Sequence, residues 1–138
     1  REPLRTREEI ALRDYLAEHA PADAMIAAEP YAFLLQAKLG RPVFTETATA
    51  SLMSYAPHLA PGIDAMYRDV YSFGFSPAAG QSAAPWEDVW RTRSAAEWTA
   101  LRRRYGIAYA FAPPGLALHL DAALTTEAGA LYAIPPGP

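Results

Sequence analysis

The sequence predicts an α/β fold: a three-layer sandwich around a mixed sheet of about five strands, parallel in its N-terminal half and closed by a C-terminal antiparallel hairpin. Three observations carry this expectation. Helix-like and strand-like periodicities alternate through the first half of the chain. Residues 94–113 run from a capped helix directly into an apolar strand. Two short apolar stretches near the C-terminus flank a turn-like segment.

Taken in order, Thr6 and Glu9 have capping-box spacing and open a helix over 7–19, with Ile10, Leu12, Tyr15 and Leu16 towards the core. Ala20-Pro21 ends it. Residues 24–28 form a continuous apolar run, which suits a strand covered on both faces. Pro30 is placed to begin a helix over 31–39, Gly40 closes it, and Arg41-Pro42 introduces a second strand over 43–47. Helix, strand, helix, strand in that order predicts a right-handed crossover between adjacent parallel strands. Residues 49–55 suit a short helix. Pro61-Gly62 precedes a stronger one, in which Ile63, Met66, Tyr67 and Val70 keep helical spacing. Residues 74–85 are rich in Gly, Ser, Ala and Pro and read as a long flexible loop with aromatic flanks: Tyr67, Tyr71, Phe73 and Phe75 before it, Trp86 and Trp90 after it.

The stretch 94–113 is the most legible. Ser94 and Glu97 form a capping box, Trp98, Leu101 and Tyr105 make an apolar stripe, and Gly106 follows the last turn. The period then becomes two, which sends Ile107, Tyr109 and Phe111 one way and Ala108, Ala110 and Ala112 the other. Pro113-Pro114 stops the strand. Leu116, Leu118 and Leu120 alternate with Ala117, His119 and Asp121, the pattern of a strand with one wet face. Residues 125–129 are turn-like, 130–134 form a last strand, and 135–138 are a Pro-rich tail.

At 138 residues the chain is expected to be one domain, 1–138. The absence of Cys removes disulfide and thiol chemistry. A net charge of −3 argues against a nucleic-acid surface. No apolar run reaches the eighteen or so residues of a membrane span. The start at Arg1 without Met is expected of a piece of a longer protein.

No motif specifies a reaction. Neither a Gly-rich phosphate loop nor a G-x-S-x-G elbow is present, and the sequence calls for no cofactor and no catalytic residue. Open α/β sheets bind ligands at the carboxyl ends of their strands, which points to Glu29, Tyr31, Thr45, Glu46 and Thr47. Two carboxylates there could take a cation or sugar hydroxyls; the plainer reading is strand-end acids that face water. Trp86 and Trp90, with the other loop-flanking rings, could stack on sugars or meet lipid headgroups. The alternative is a secondary core beneath a long loop. His119 and Asp121 share a strand face, but two ligands are too few for zinc, so no metal site is expected. Arg102-Arg103-Arg104 could meet lipid phosphates or an anionic glycan; such a run is more often a solvated helix face favoured by the dipole.

The order of pieces resembles the extracytoplasmic soluble C-terminal domain of polytopic bacterial membrane proteins, including multi-spanning glycosyltransferases and related uncharacterised families. The residues that carry the resemblance are the helix from Leu12 to Pro21 with its following strand, Gly40-Arg41-Pro42-Val43, the segment from Trp98 to Tyr109, and the closing Leu131 to Ile134. It implies a non-catalytic accessory domain on the outer or periplasmic side of a cell membrane, attached through a segment outside this chain. The partners it implies are the transmembrane part of the parent and a glycan or lipid-linked sugar, not nucleic acid. The alternative is a small stand-alone hydrolase or transferase using the strand-end acids.

Overall fold

Strand β3 (Ile107–Ala112) lies at the middle of a mixed sheet whose strands run in the order β2-β1-β3-β5-β4. The computed structural model describes residues 3–21, 24–28, 43–44, 60–71 and 86–137. On one side β1 (Met25–Ala27) pairs parallel with both β3 and β2 (Val43–Phe44). On the other, β5 (Gly129–Ala133) pairs antiparallel with β3 and with the edge strand β4 (Asp121–Thr126). The parallel first pair and the C-terminal antiparallel hairpin are those expected from the sequence. The expected helices over 31–39 and 49–55 and the loop over 74–85 lie outside the described residues.

Four helices occur among the described residues. Helix α1 (Pro3–His19) starts earlier than the sequence suggests. Pro3 is its first residue, where a fixed φ and a missing N–H cost nothing, so Thr6 lies within the helix and is not its cap. Leu12 and Leu16 are buried with Ala24, Ile26, Ala28, Ala108, Tyr109 and Leu131. Ile10, expected inside, is 42% exposed. The other buried cluster unites Val70 and Tyr71 of α2 (Ala60–Tyr71), Trp86 and Trp90 of α3 (Trp86–Thr92), and Trp98 and Leu101 of α4 (Ala95–Tyr105) with Ala27, Ala110, Ala112, Tyr132 and Ile134 of the sheet region. The small alanines of the strands share this cluster with three indoles, small side chains beside large ones as close packing requires.

Helix α3 was not anticipated. Trp86 and Trp90 look like the far side of a loop, yet Pro85 precedes a segment with Glu87 and Asp88 in its first turn, where acids suit the helix dipole. Helix α4 follows its sequence signature closely. Ser94 N–H donates to Glu97 Oε1 at 2.8 Å, Glu97 N–H donates to Ser94 Oγ at 3.1 Å, and Gly106 closes the helix at φ +79°.

Two departures have identifiable causes. Strict alternation along β3 fails because its pairing with β1 slips: Met25 faces Ile107, but Ile26 faces Tyr109. The extra residue at Ala108 is a bulge, and it turns Ile107 to the same side as Ala110 and Ala112, opposite Tyr109 and Phe111. The strand expected at Leu116, Leu118 and Leu120 does not form. Strands β3 and β4 are both antiparallel to β5 and hence parallel to each other, so residues 113–120 run back from the end of β3 to the start of β4. This connection has no ladder partner. Leu116 and Leu118 still bury their side chains, which explains the alternating pattern without a strand. Strand β4 then starts at Asp121, and only Glu127-Ala128 remain as the hairpin turn.

Candidate functional site

The carboxyl edge of the parallel strands is where the fold would present a ligand. Glu29, Tyr31, Thr45, Glu46 and Thr47, the residues expected there, lie outside the described residues. At the described end of β1, the hydroxyl of Tyr71 donates to the carbonyl of Ala28 at 2.5 Å, which ties the last residue of α2 to the strand.

Glu8 lies on the buried side of α1. Glu8, Leu12 and Leu16 recur every four residues on one helix face, and Glu8 extends the inward stripe by one turn. Its exposure is only 6%, and its Oε1 has no hydrogen-bond partner among the described residues. An unsatisfied buried acceptor costs on the order of 1–3 kcal/mol, more if charged. The signal available in the sequence was that four-residue spacing, which puts an acid where a leucine would be expected.

Trp86 and Trp90 are not offered to solvent. Trp90 is fully buried, with its indole N–H donating to the carbonyl of Val70 at 3.0 Å. It stacks on Tyr71 with ring centroids 5.9 Å apart and meets Trp86 and Trp98 edge-on at 5.0 and 5.2 Å. Trp86 is 8% exposed. A ring enclosed in this way has no free face for a sugar, so for these two residues the packing alternative holds and the stacking expectation does not.

The polar groups with displaced titration gather around Asp69 in α2. Arg93, between α3 and α4, is 9% exposed; it donates from Nη2 to the carbonyl of Asp69 at 2.7 Å and lies 4.7 Å over the Trp98 ring. Burial pushes its guanidinium pKa down, against the opposing pull of Glu97 and Asp69. Hydrogen bonds from Ser94, the backbone N–H foremost, hold the Glu97 carboxyl below its ordinary range. The Tyr105 hydroxyl donates to Asp69 Oδ2. Burial, reinforced by that bond and by the Asp69 charge, pushes Tyr105 up to about 12.

The Tyr105 shift has a defined consequence for stability. The hydroxyl keeps its proton longer in the folded state than at its ordinary pKa of 10.0, so its contribution is complete below pH 10 and is lost as pH rises towards about 12. Tyr105→Phe should therefore lose stability less steeply than the wild type across that interval in urea titrations at stepped pH. Parallel curves for the two proteins would contradict the assignment.

His119 and Asp121 are both exposed, and no group of three or more His, Cys, Asp or Glu side chains placed to hold a metal occurs among the described residues. Arg102 donates to the carbonyl of Ile134 at 2.6 Å, and Arg104 lies 3.5 Å from Asp69 Oδ2, so the arginine run is partly committed to the fold. No described helix is long and apolar enough to cross a membrane. Comparisons with protein-family models, with curated proteins and with solved structures found no match.

Proposed function

We propose that this chain is a non-catalytic accessory domain of a glycosyltransferase-like membrane protein, held outside the cytoplasmic face and contributing glycan or lipid-carrier contacts from the carboxyl edge of its sheet. In this reading the domain is a three-layer sandwich on a five-stranded sheet, a description supported by the two buried clusters, one drawing on α1 and the other on α2, α3 and α4. The observation that carries the non-catalytic assignment is the use made of the perturbed polar groups. Arg93, Glu97 and Tyr105 are each engaged in joining or capping helices, whereas catalytic groups with shifted pKa values face a cleft. The sequence resemblance supplies the membrane parent.

The test uses the full parent protein in cells. The chain has no cysteine, so Ala117→Cys on the exposed connection between β3 and β4 introduces a single thiol into it. Labelling of that thiol in intact cells by a membrane-impermeant maleimide is the expected result. Labelling only after lysis would overturn the location.

Glu8 favours a second reading, a small hydrolase or transferase that uses acidic residues. A buried carboxyl with an unfilled acceptor is retained against a cost to folding, and active sites retain such groups. Replacing it with a leucine of similar reach should then raise stability by about 1–3 kcal/mol. A panel of ester, phosphoester and glycoside substrates, assayed with wild type and Glu8→Gln, separates the two readings. Turnover lost in the variant establishes the enzyme; turnover absent from the wild type favours the accessory domain.

A further inference from the structure

Strand β4 ends one side of the sheet, and no further strand pairs with it among the described residues. An edge strand of this kind aims backbone N–H and C=O groups outward, a template for another strand. Natural edges are commonly guarded by Lys, by Pro or by an inward-pointing charge. Residues 121–126 contain no Lys, Arg or Pro, and Asp121, Ala122 and Thr125 are exposed. The bulge at Ala123 bends the strand, yet Leu124, Thr125 and Thr126 keep regular register against Leu131, Ala130 and Gly129.

Two features define what this edge accepts. The first is an apolar row across the sheet. Phe111, Leu131 and Leu124 lie opposite one another on β3, β5 and β4, on the side that carries α1. Leu131 is fully buried, whereas Leu124 at the edge is half-buried, so the row runs out to the edge and ends there incompletely covered. A β-branched side chain beside Leu124 would extend it. The second feature is charge. Asp121 opens β4 and Glu127 directly follows it; both are exposed, and neither has an ion-pair partner among the described residues. They are six residues apart, and the bulge takes one residue out of the ladder, so their spacing along the edge is that of five residues in a regular strand.

We propose that β4 takes up an extended segment of another protein, with a basic residue at each end and alternating β-branched residues between, as a sixth strand of the sheet. Backbone hydrogen bonds to the open edge supply the attachment. The basic ends meet Asp121 and Glu127 and fix the register, which is what complementary charge contributes most at an interface. A second copy of this chain fits the edge poorly. Two β4 strands related by a two-fold axis normal to the sheet run antiparallel, which brings Asp121 of each towards Glu127 of the other. The inference goes beyond the accessory-domain reading and is independent of the role of Glu8.

The experiment titrates the chain with the acetylated and amidated hexapeptide Lys-Val-Thr-Val-Thr-Lys while following backbone amides by NMR. Shifts concentrated in residues 121–127, with slower amide exchange there, are expected. Of two versions of the peptide N-methylated at alternate residues, the one whose bonding edge is blocked should bind at least about tenfold more weakly, because its donors are gone while its charges remain. Asp121→Asn combined with Glu127→Gln removes two exposed charges and should weaken binding about fivefold to tenfold without changing stability. If the peptide at millimolar concentration moves no β4 signal, or if neither N-methylated version binds more weakly, the proposal is wrong. Equal binding by the version with Glu at both ends would overturn the assigned charge. Sedimentation velocity on the chain alone should find a monomer; a dimer that the peptide dissociates would assign the edge to a second copy and overturn the choice of partner.

Discussion

Trp90→Ala is expected to remove roughly 3–5 kcal/mol of stability, a large part of what a domain of this size holds. Trp90 is fully buried, contacts the rings of Tyr71, Trp86 and Trp98, and joins α3 to α2 through Val70. Truncation would open a cavity at the meeting point of three helices and leave the Val70 carbonyl without its donor. Trp90→Phe keeps most of the ring volume and should cost less, about 1–2 kcal/mol, chiefly from the lost hydrogen bond. Urea unfolding followed by circular dichroism measures both. A loss below about 1 kcal/mol for the alanine variant would contradict the central place given to this residue.

Gly129→Ala is expected to be nearly as damaging, although it adds only a methyl group. Gly129 opens β5 at φ +147°, a backbone region that residues with a Cβ rarely enter. The added Cβ would lie 2.3 Å from the carbonyl oxygen of Ala112 and 2.9 Å from Cζ of Phe111. The oxygen belongs to the neighbouring strand and cannot move without breaking the β3–β5 ladder. Backbone strain and overpacking together should cost roughly 3 kcal/mol. An alanine variant with an unchanged urea midpoint would mean that the hairpin meets β3 less closely than described. Replacing the nearby, exposed Glu127 with alanine should change little.

Local signals in the chain were reliable where the interaction is itself local. The Ser94–Glu97 box, the Gly106 stop and the run into β3 depend on neighbours a few residues apart, and each is found as the sequence indicates. The hairpin was legible for the same reason, although its strands are displaced from the expected positions. What the pattern could not convey depends on partners distant in sequence. Leu116, Leu118 and Leu120 have the period of a strand, but whether a ladder forms depends on a vacant neighbouring edge, and β5 already separates β4 from β3. The turned side chain of Ile107 arises from its pairing with Met25. For the candidate site, the edge followed from topology, but Glu8 was hidden among exposed helix acids, and the aromatic composition of α3 resembled a ligand platform as much as a core.

The position of β3 also sets an order of assembly. Its antiparallel partner β5 follows it closely in the chain, and α4 immediately precedes it. Helix α4, β3 and the hairpin can therefore assemble with short loop closures. Strand β1 pairs with β3 only after the long intervening stretch has been made, and closing that distance carries a larger entropy penalty. A chain emerging from the ribosome would thus hold Ile26 and Ala27, both fully buried in the finished fold, without their central partner until β3 appears. During that interval these apolar residues are exposed, and unpaired strands of this kind are prone to self-association. Pulse-labelled hydrogen exchange during refolding should find the amides of β3 and β5 protected before those of β1; simultaneous protection would mean that the sheet forms in one step.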